Sequence, residues 1–560
     1  MAAESNASGG SAFGEVNRLR GIAFQYLSAG ASVLGLIALA SLLTFVFWDA
    51  FGLWSAGTGW YLTFGATVLV PTAAFGWYAR TRPAVAEAAL ELVSWTVGGL
   101  LGAIGTVLVL LVIAGPNVWF AYFLTVFAPA GALYAYGRYD TEANWTGLGI
   151  LLVLLGGPVV GTLALSVLTN IAGLLGGPGI MFVSVVLPGA AILAFVLRSL
   201  FEYGKRMTLG AAVALPAVAI AGIPVIDRVA IISRTVWLTL LVVFAVPVAV
   251  AVTNTIRDQA RRPAFALPAI LFGGFVLGRT IVGAFGFRRP EPWLDWQFLT
   301  SDPVTGTAAN AGLYPAIVGS VFMIVLVAIL TFVLGVGAAI YLEEYAPSSG
   351  PLAGITRIIQ INISNLAGVP SVVYGLLGLG IFVNMRLESL TIPFVGVEVP
   401  LPFIYTGIGV GTVLTATFTL SLLILPIVII SAQEAVRAVP GSLRQASYGM
   451  GATKWQTVRN VVIPEALPGM LTGTILALGR AIGETAPLIM VGVATSTSSP
   501  PSGFFSSVSA MPMQIYTWSS LPGDAFQHGV TAAGVVTLLI VLLTMNSVAI
   551  LLRNKYETEA

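Results

Sequence analysis

The run LVSWTVGGLLGAIGTVLVLLVIA, residues 92–114, carries no charged side chain. An α-helix needs about 20 apolar residues to cross roughly 30 Å of hydrocarbon, and this run suffices. Similar runs recur near residues 25–48, 60–78, 92–114, 118–136, 148–172, 180–200, 209–225, 231–252, 266–285, 314–341, 364–385, 403–431, 469–494 and 530–552. The pattern predicts an all-α fold, a polytopic helical membrane protein of about fourteen transmembrane helices. The seventh run is short and holds Pro216 and Pro224, and the ninth is Gly-rich and holds Arg279.

Composition leaves little room for anything else. Hydrophobic residues make up 57% and charged residues 9%, against roughly 45–50% and about 25% for a soluble domain. The net charge of +2 is too small, and its positive residues too scattered, for nucleic acid. The absence of cysteine removes disulfides, thiolate metal sites and cysteine nucleophiles. The opening MAAESNASGG is polar and lacks a basic n-region and cleavage pattern, so the first run is expected to remain as a span.

Charge placement sets an orientation. With the N-terminus in the cytoplasm, the outside segments hold only Arg228, Arg288, Arg289 and Arg386. Arg234, Arg279 and Arg480 lie within spans, and every other Lys and Arg falls inside. The positive-inside rule therefore puts both termini on the cytoplasmic face of the cell membrane. Residues 286–313 and 495–528 become external loops. The first of them suggests a division into an N-terminal transmembrane region, 1–290, of about nine helices, and a C-terminal region, 291–560. A five-residue echo, GWYLT at 59–63 and WQFLT at 296–300, is too short to be a repeat.

One sizeable polar island faces inward: QASYGMGATKWQTVRNVVIPEALPGM, residues 445–470. Ser442 is a candidate N-cap for a short helix, Gly449 and Gly451 break it, and Thr453 can cap a second helix that Pro464 ends. Such a pair, with Tyr448, Met450, Trp455 and Val458 as apolar contacts, suits a partner's groove. It equally suits a solvated loop or a helix at the lipid interface. It is not a nucleotide loop, since no glycine precedes Lys454 and the pattern G-x-x-x-x-G-K-[ST] occurs nowhere in the chain.

The island resembles the EAA loop of ABC-importer permeases, whose pattern is E-A-A, three residues, G, nine residues, I-x-L-P. The matching positions are Gln445, Ala446, Ser447, Gly451, Val461, Ile463 and Pro464, with Gln445 and Ser447 replacing Glu and Ala. AIYLEEYAP at 339–347, NLAGVPSVVYGLLGLG at 365–380, GRAIGETAPLI at 479–489 and PMQIYTW at 512–518 extend the likeness. Together they resemble the A-type permease subunit of the phosphate importer, the PstA family, over residues 296–552. The resemblance implies a MetI-like permease bundle in 291–560, with a coupling loop over 434–468. It also implies a translocation pathway for inorganic phosphate shared with a second, C-type permease, an extracytoplasmic phosphate-binding protein, and an ATPase dimer that holds ATP and Mg. Gln445, Ala446, Ser447, Gly451, Lys454 and Pro464 would then engage the ATPase. This chain would be no enzyme and would carry no cofactor of its own.

Arg480 and Glu484 fall four residues apart in an expected span, hence on one helix face. Buried charges in a membrane face the bundle interior or a water-filled path by default, and a guanidinium fits a phosphate oxygen pair. Packing of two helices is the competing role. Thr485 adds a hydroxyl, Pro487 is expected to bend the helix, and Ser371 follows a break at Gly368 and Pro370. Tyr374 is read as a packing residue, and Glu343 and Glu344 as a solvated helix end. His528, the sole histidine, makes no metal site. The sequence still admits a permease for another oxyanion, or a self-sufficient secondary transporter using Arg480 and Glu484 for protons. An enzyme has no His, Asp or Cys constellation to build on.

Overall fold

The computed structural model describes residues 18–559 apart from 108–109, 112–114, 141–144, 200–201, 230–232, 305, 348, 385–389, 392–397, 400–407 and 495. The opening MAAESNASGG and Arg386 lie outside the described residues. The rest is almost entirely helical, apart from an antiparallel ribbon that sets β1 (Leu390–Thr391) against β2 (Glu398–Val399).

The N-terminal helices are α1 (Arg18–Ala50), α2 (Thr58–Ala79), α3 (Pro83–Val107), α4 (Pro116–Gly137), α5 (Thr146–Leu163), α6 (Val167–Arg198), α7 (Lys205–Val229), α8 (Arg234–Arg257) and α9 (Arg262–Phe285). The C-terminal ones are α10 (Tyr314–Tyr345), α11 (Leu352–Ala367), α12 (Ser371–Val383), α13 (Val413–Ala438), α14 (Gly441–Gly449), α15 (Lys454–Ala481), α16 (Ala486–Met490), α17 (Met511–Ser519) and α18 (Ala525–Ser547). Among the described residues, twelve helices are long and apolar enough to cross a membrane, or thirteen if α11 and α12, bent by 109°, count as one.

One expected loop and two expected spans change shape. The loop expected between 172 and 180 is helical: α6 runs through it, kinked at Gly176, whose φ of 64° only glycine adopts freely. The expected span 364–385 is two helices broken at Gly368–Pro370, as the glycine and proline foretold. The expected span 469–494 ends early, because α15 stops at Ala481 and the chain turns before α16.

Prolines interrupt the helices less than their usual effect would suggest. Proline lacks an N–H and clashes with the carbonyl four residues back. Wide π turns at Gly65–Leu69, Phe123–Phe127, Phe182–Val186 and Val458–Val462 each end two residues before a proline, namely Pro71, Pro129, Pro188 and Pro464. In each, the residue before the proline donates five residues back, as Ile463 does to Val458, so the helix continues. Pro464, expected to end the second island helix, therefore lies inside α15.

Apolar burial separates the chain into bodies. One core joins α10, α13, α15, α17 and α18 through Ile317, Ile424, Leu420, Met511, Met513 and Trp518. Two others, centred on Ile180, Met181 and Leu238 and on Ala88, Ala251 and Ala264, belong to α2–α9. A smaller cluster seats α1 on α18, where Val46 and Ala50 pack against Ala532, Val536 and Ile540. The Asp49 carboxylate lies 3.6 Å from the His528 imidazole, which gives the lone histidine a place in this packing.

The chain leaves α1 and returns to the same spot. Trp293 and Leu294 both donate backbone N–H groups to the Ala50 carbonyl, at 3.0 and 3.1 Å, and Gly57 donates to Arg288 at 3.0 Å. The Glu291 N–H reaches the Ser55 hydroxyl at 2.9 Å. Gly52 makes this closure possible, because it holds φ 59° and a Cβ there would overlap the Glu291 carbonyl. Gly52→Ala is expected to cost about 1–3 kcal/mol, read as a lower thermal midpoint in detergent. Gly30→Ala, which meets open space inside α1, serves as the control and should not lower the midpoint.

Candidate functional site

The island folds as a helix, a glycine turn and a second helix. α14 starts at Gly441 behind Pro440, and no side chain caps it, so Ser442 is the second helical residue rather than the N-cap. Gly451 takes φ 84°, and its N–H bonds the Tyr448 carbonyl at 2.9 Å. Thr453 then caps α15 in a full capping box: its hydroxyl accepts from the Gln456 N–H at 3.3 Å, and the Gln456 side chain accepts from the Thr453 N–H at 2.8 Å.

Ser447 is buried, and its hydroxyl pairs with that of Thr457 at 2.8 Å, fastening α14 to α15. The departure from alanine at this position therefore has a partner on the facing helix. Val458, expected to contact a partner, is instead fully buried. Gln445, Ala446, Lys454 and Pro464 are exposed, as are Tyr448, Met450 at 83% and Trp455 at 57%. The island thus presents an open face with three large apolar side chains beside a glutamine and a lysine.

Its other face is bound to the segment YLEEY, the π turn Tyr341–Tyr345 that ends α10. Arg437 forks onto both oxygens of Glu343, through Nη2 at 2.6 Å and Nε at 2.9 Å, and Gln433 donates to the same carboxylate at 2.7 Å. Arg444 donates to Glu344 from Nη2 at 3.0 Å and from Nε at 3.2 Å. Its remaining donors reach the carbonyls of Val439 at 2.6 Å and Val436 at 2.8 Å, where α13 ends. The Lys454 ammonium sits 5.2 Å from the centre of the Tyr345 ring. Glu343 and Glu344 are therefore not a solvated helix end. Their side chains are only 15% and 9% exposed, and forked charge-assisted bonds of this kind are the strong class. Sequence reasoning missed them because their partners lie 90 to 100 residues away. The available signal was two adjacent acids in a chain so poor in charge.

At the far end of α15, Arg480 and Glu484 do pair, Nε to Oε1 at 3.2 Å. They do not share a helix face, because α15 ends at Ala481 and Glu484 lies with Thr485 in the break before α16. Pro487 belongs to the first turn of α16 and bends nothing. Arg480 is 51% exposed and Glu484 18%, so the guanidinium is open on one side. Gly375 lets α12 approach α16 closely, since a Cβ there would sit 2.7 Å from Pro487 Cα and Met490 Cβ. Ser371 is half-buried at the start of α12. Among the described residues, no hydrogen bond ties Ser371 or Thr485 to the Arg480–Glu484 pair. Tyr374 is buried and donates to the Leu366 carbonyl at 2.7 Å across the α11–α12 bend, the packing role expected of it. Arg279 is exposed on α9.

Gly451→Val is expected to strain the turn by about 1–3 kcal/mol without a steric clash, because a Cβ there meets open space. Amide exchange over 446–457 should quicken while α10 and α13 keep their protection. Thr453→Ala removes the cap and should cost about 1 kcal/mol, with exchange quickened only at the start of α15.

Residues 349–556 match the family model described as the binding-protein-dependent transport system inner membrane component. The phosphate transport system permease protein PstA of Mycobacterium leprae is 34% identical over 268 residues, covering 48% of this chain and 78% of its own length. PstA 1 of Mycobacterium tuberculosis H37Rv is 32% identical over 243 residues, covering 43% of this chain and 70% of its own. A solved structure of the MetNI methionine ABC transporter covers 44% of this chain and 97% of its own, at 19% identity and a TM-score of 0.32, too slight a likeness to argue from. With the island and its helical frame in place, these relatives identify the chain as a multi-pass membrane protein of the PstA family, a permease subunit of an ABC importer.

Proposed function

We propose that this chain is the A-type permease of an ATP-driven importer of inorganic phosphate in the cell membrane, with both termini cytoplasmic. The observation that carries the reading is the island. A rigid helix pair hangs from the ends of α10, α13 and α15 and leaves Gln445, Tyr448, Met450 and Trp455 uncovered. That face fits a groove on an ATPase subunit, where a dimer would hold ATP and Mg. Gln445 offers the partner a neutral hydrogen bond in place of a salt bridge, and Ala446, Lys454 and Pro464 flank it. Ser447 and Gly451 shape the element from within.

Phosphate is supported by the named relatives and by the exposed Arg480 guanidinium beside Glu484. The second half of the pathway would come from a C-type permease, and phosphate would be delivered by a binding protein on the external side. α1 packs on α18 while α2–α9 keep separate cores. We therefore read the permease body as α1 together with 291–560, and α2–α9 as an inserted membrane region of separate role.

The test is phosphate uptake in cells with and without the chain, competed by sulfate and molybdate. Uptake should require the chain, depend on ATP, and resist both competitors. Arg480→Ala should remove a charged hydrogen bond of about 1.5–3 kcal/mol, on the order of 10- to 100-fold in uptake at limiting phosphate. The ATPase should still copurify. Competition by molybdate or sulfate would instead assign another oxyanion.

A further inference from the structure

The polar joint behind the island has a geometry that docking alone does not require. Arg444 belongs to α14, yet its guanidinium bonds Glu344 at the end of α10 and two carbonyls at the end of α13. One planar group thus ties the island helix to two others. Its fixed fork of donors makes that possible, where an ammonium would act as a single point charge. Arg444 is 21% exposed and Glu344 9%, so water screens the bond poorly. The neighbouring Glu343 ties α10 to α13 through Arg437 and Gln433.

The acids sit on a π turn and not on a regular helix end. Like the other wide turns it ends two residues before a proline, Pro347, and the Ala346 N–H closes it on the Tyr341 carbonyl, so the two acids sit at the fixed end of α10. On the opposite side α14 is fastened to α15 by Ser447 and Thr457. Any displacement of α14 therefore loads α15 through the chain and the hydroxyl pair and α13 through the chain at Val439–Pro440, but reaches α10 through Arg444 and Glu344.

We propose that Arg444 and Glu344 are positioning residues of the transport cycle, the link that carries movement of the island helix to α10. The proposal rests on reading α14 as the element driven by the ATPase. A structural clamp and a transmitting link differ in one measurable respect. Loss of a clamp lowers ATP hydrolysis and uptake together, whereas loss of a link lets ATP hydrolysis continue without transport.

The experiment uses the full chain assembled with its companion permease, ATPase and binding protein in lipid vesicles, with inorganic phosphate as the probe. The readout is phosphate taken up per ATP hydrolysed. Glu344→Gln keeps the shape and removes the charge, and should lower that ratio by about fivefold or more while ATP hydrolysis stays within about twofold of the unaltered complex. Arg444→Lys keeps the charge and loses the fork. It should lower the ratio too, and it decides the matter if the first variant fails to assemble. A ratio unchanged in the assembled variant, or uptake and hydrolysis falling in proportion, overturns the proposal. Absence of ATP-driven phosphate uptake in the unaltered complex would instead overturn the functional reading beneath it.

Discussion

In hydrocarbon every backbone N–H and C=O must find its partner within the protein, and the remainder of this fold follows from that requirement. Helices satisfy it locally, and a proline threatens it by removing a donor. Four π turns placed two residues ahead of Pro71, Pro129, Pro188 and Pro464 meet the threat without ending the helix. The consequence at Pro464 is structural. Because α15 continues through it, the island at one end and Arg480 at the other belong to a single helix. The unbroken backbone joins the two ends through the wide turn at Val458–Val462.

The two ends of α15 then differ in kind. At the island end, charges are spent on one another: Glu343 with Arg437 and Glu344 with Arg444, on helices far apart in sequence. Removing Arg444 would strand the enclosed Glu344, which is why that joint holds a geometry firmly, whereas Arg437 is itself half exposed. At the other end Arg480 keeps half its surface open, and its acid sits on a turn beyond the helix. The proposed anion path relies on that openness, since a guanidinium fully engaged by carboxylates has no donors to offer.

Much of this was legible in the sequence, and the failures share a cause. The spans were visible because bilayer thickness fixes their length, and the Thr453 cap and Gly451 turn because their chemistry is local. The break at Gly368–Pro370 was visible for the same reason. Pro464 misled because proline as a helix terminator presumes a regular α-helix, and a π turn changes the register before it. Arg480 and Glu484 misled because i, i+4 spacing implies a shared face only if the helix persists, and it ends at Ala481. Glu343 and Glu344 looked solvated because their partners are 90 to 100 residues distant, beyond the reach of any local rule. The shift of α6 across Gly176 has a similar origin, since a glycine–proline run reads as a loop whether the chain kinks or leaves the membrane.

The N-terminal half poses a different physical question: how a permease tolerates so many additional helices. The answer lies in where the chain departs and returns. Ala50, Gly57 and Ser55 are hydrogen-bonded to Leu294, Arg288 and Glu291, so the two ends of the intervening segment meet. Insertions whose ends lie together disturb a host least, because the host chain need not open to admit them. The cores agree, since among the described residues no buried side chain of α2–α9 enters the cluster built by α10, α13, α15, α17 and α18. Close contact between the two regions falls instead at points such as Gly105, where the missing side chain lets α3 lie against Thr544 of α18. On this reading α1, the span farthest in sequence from the rest of the permease, belongs to it. The span adjacent in sequence, α9, packs with the inserted helices through Gly274 and Gly278 against α2. Sequence order alone favours the reverse assignment, and the direction of apolar burial supports the one proposed.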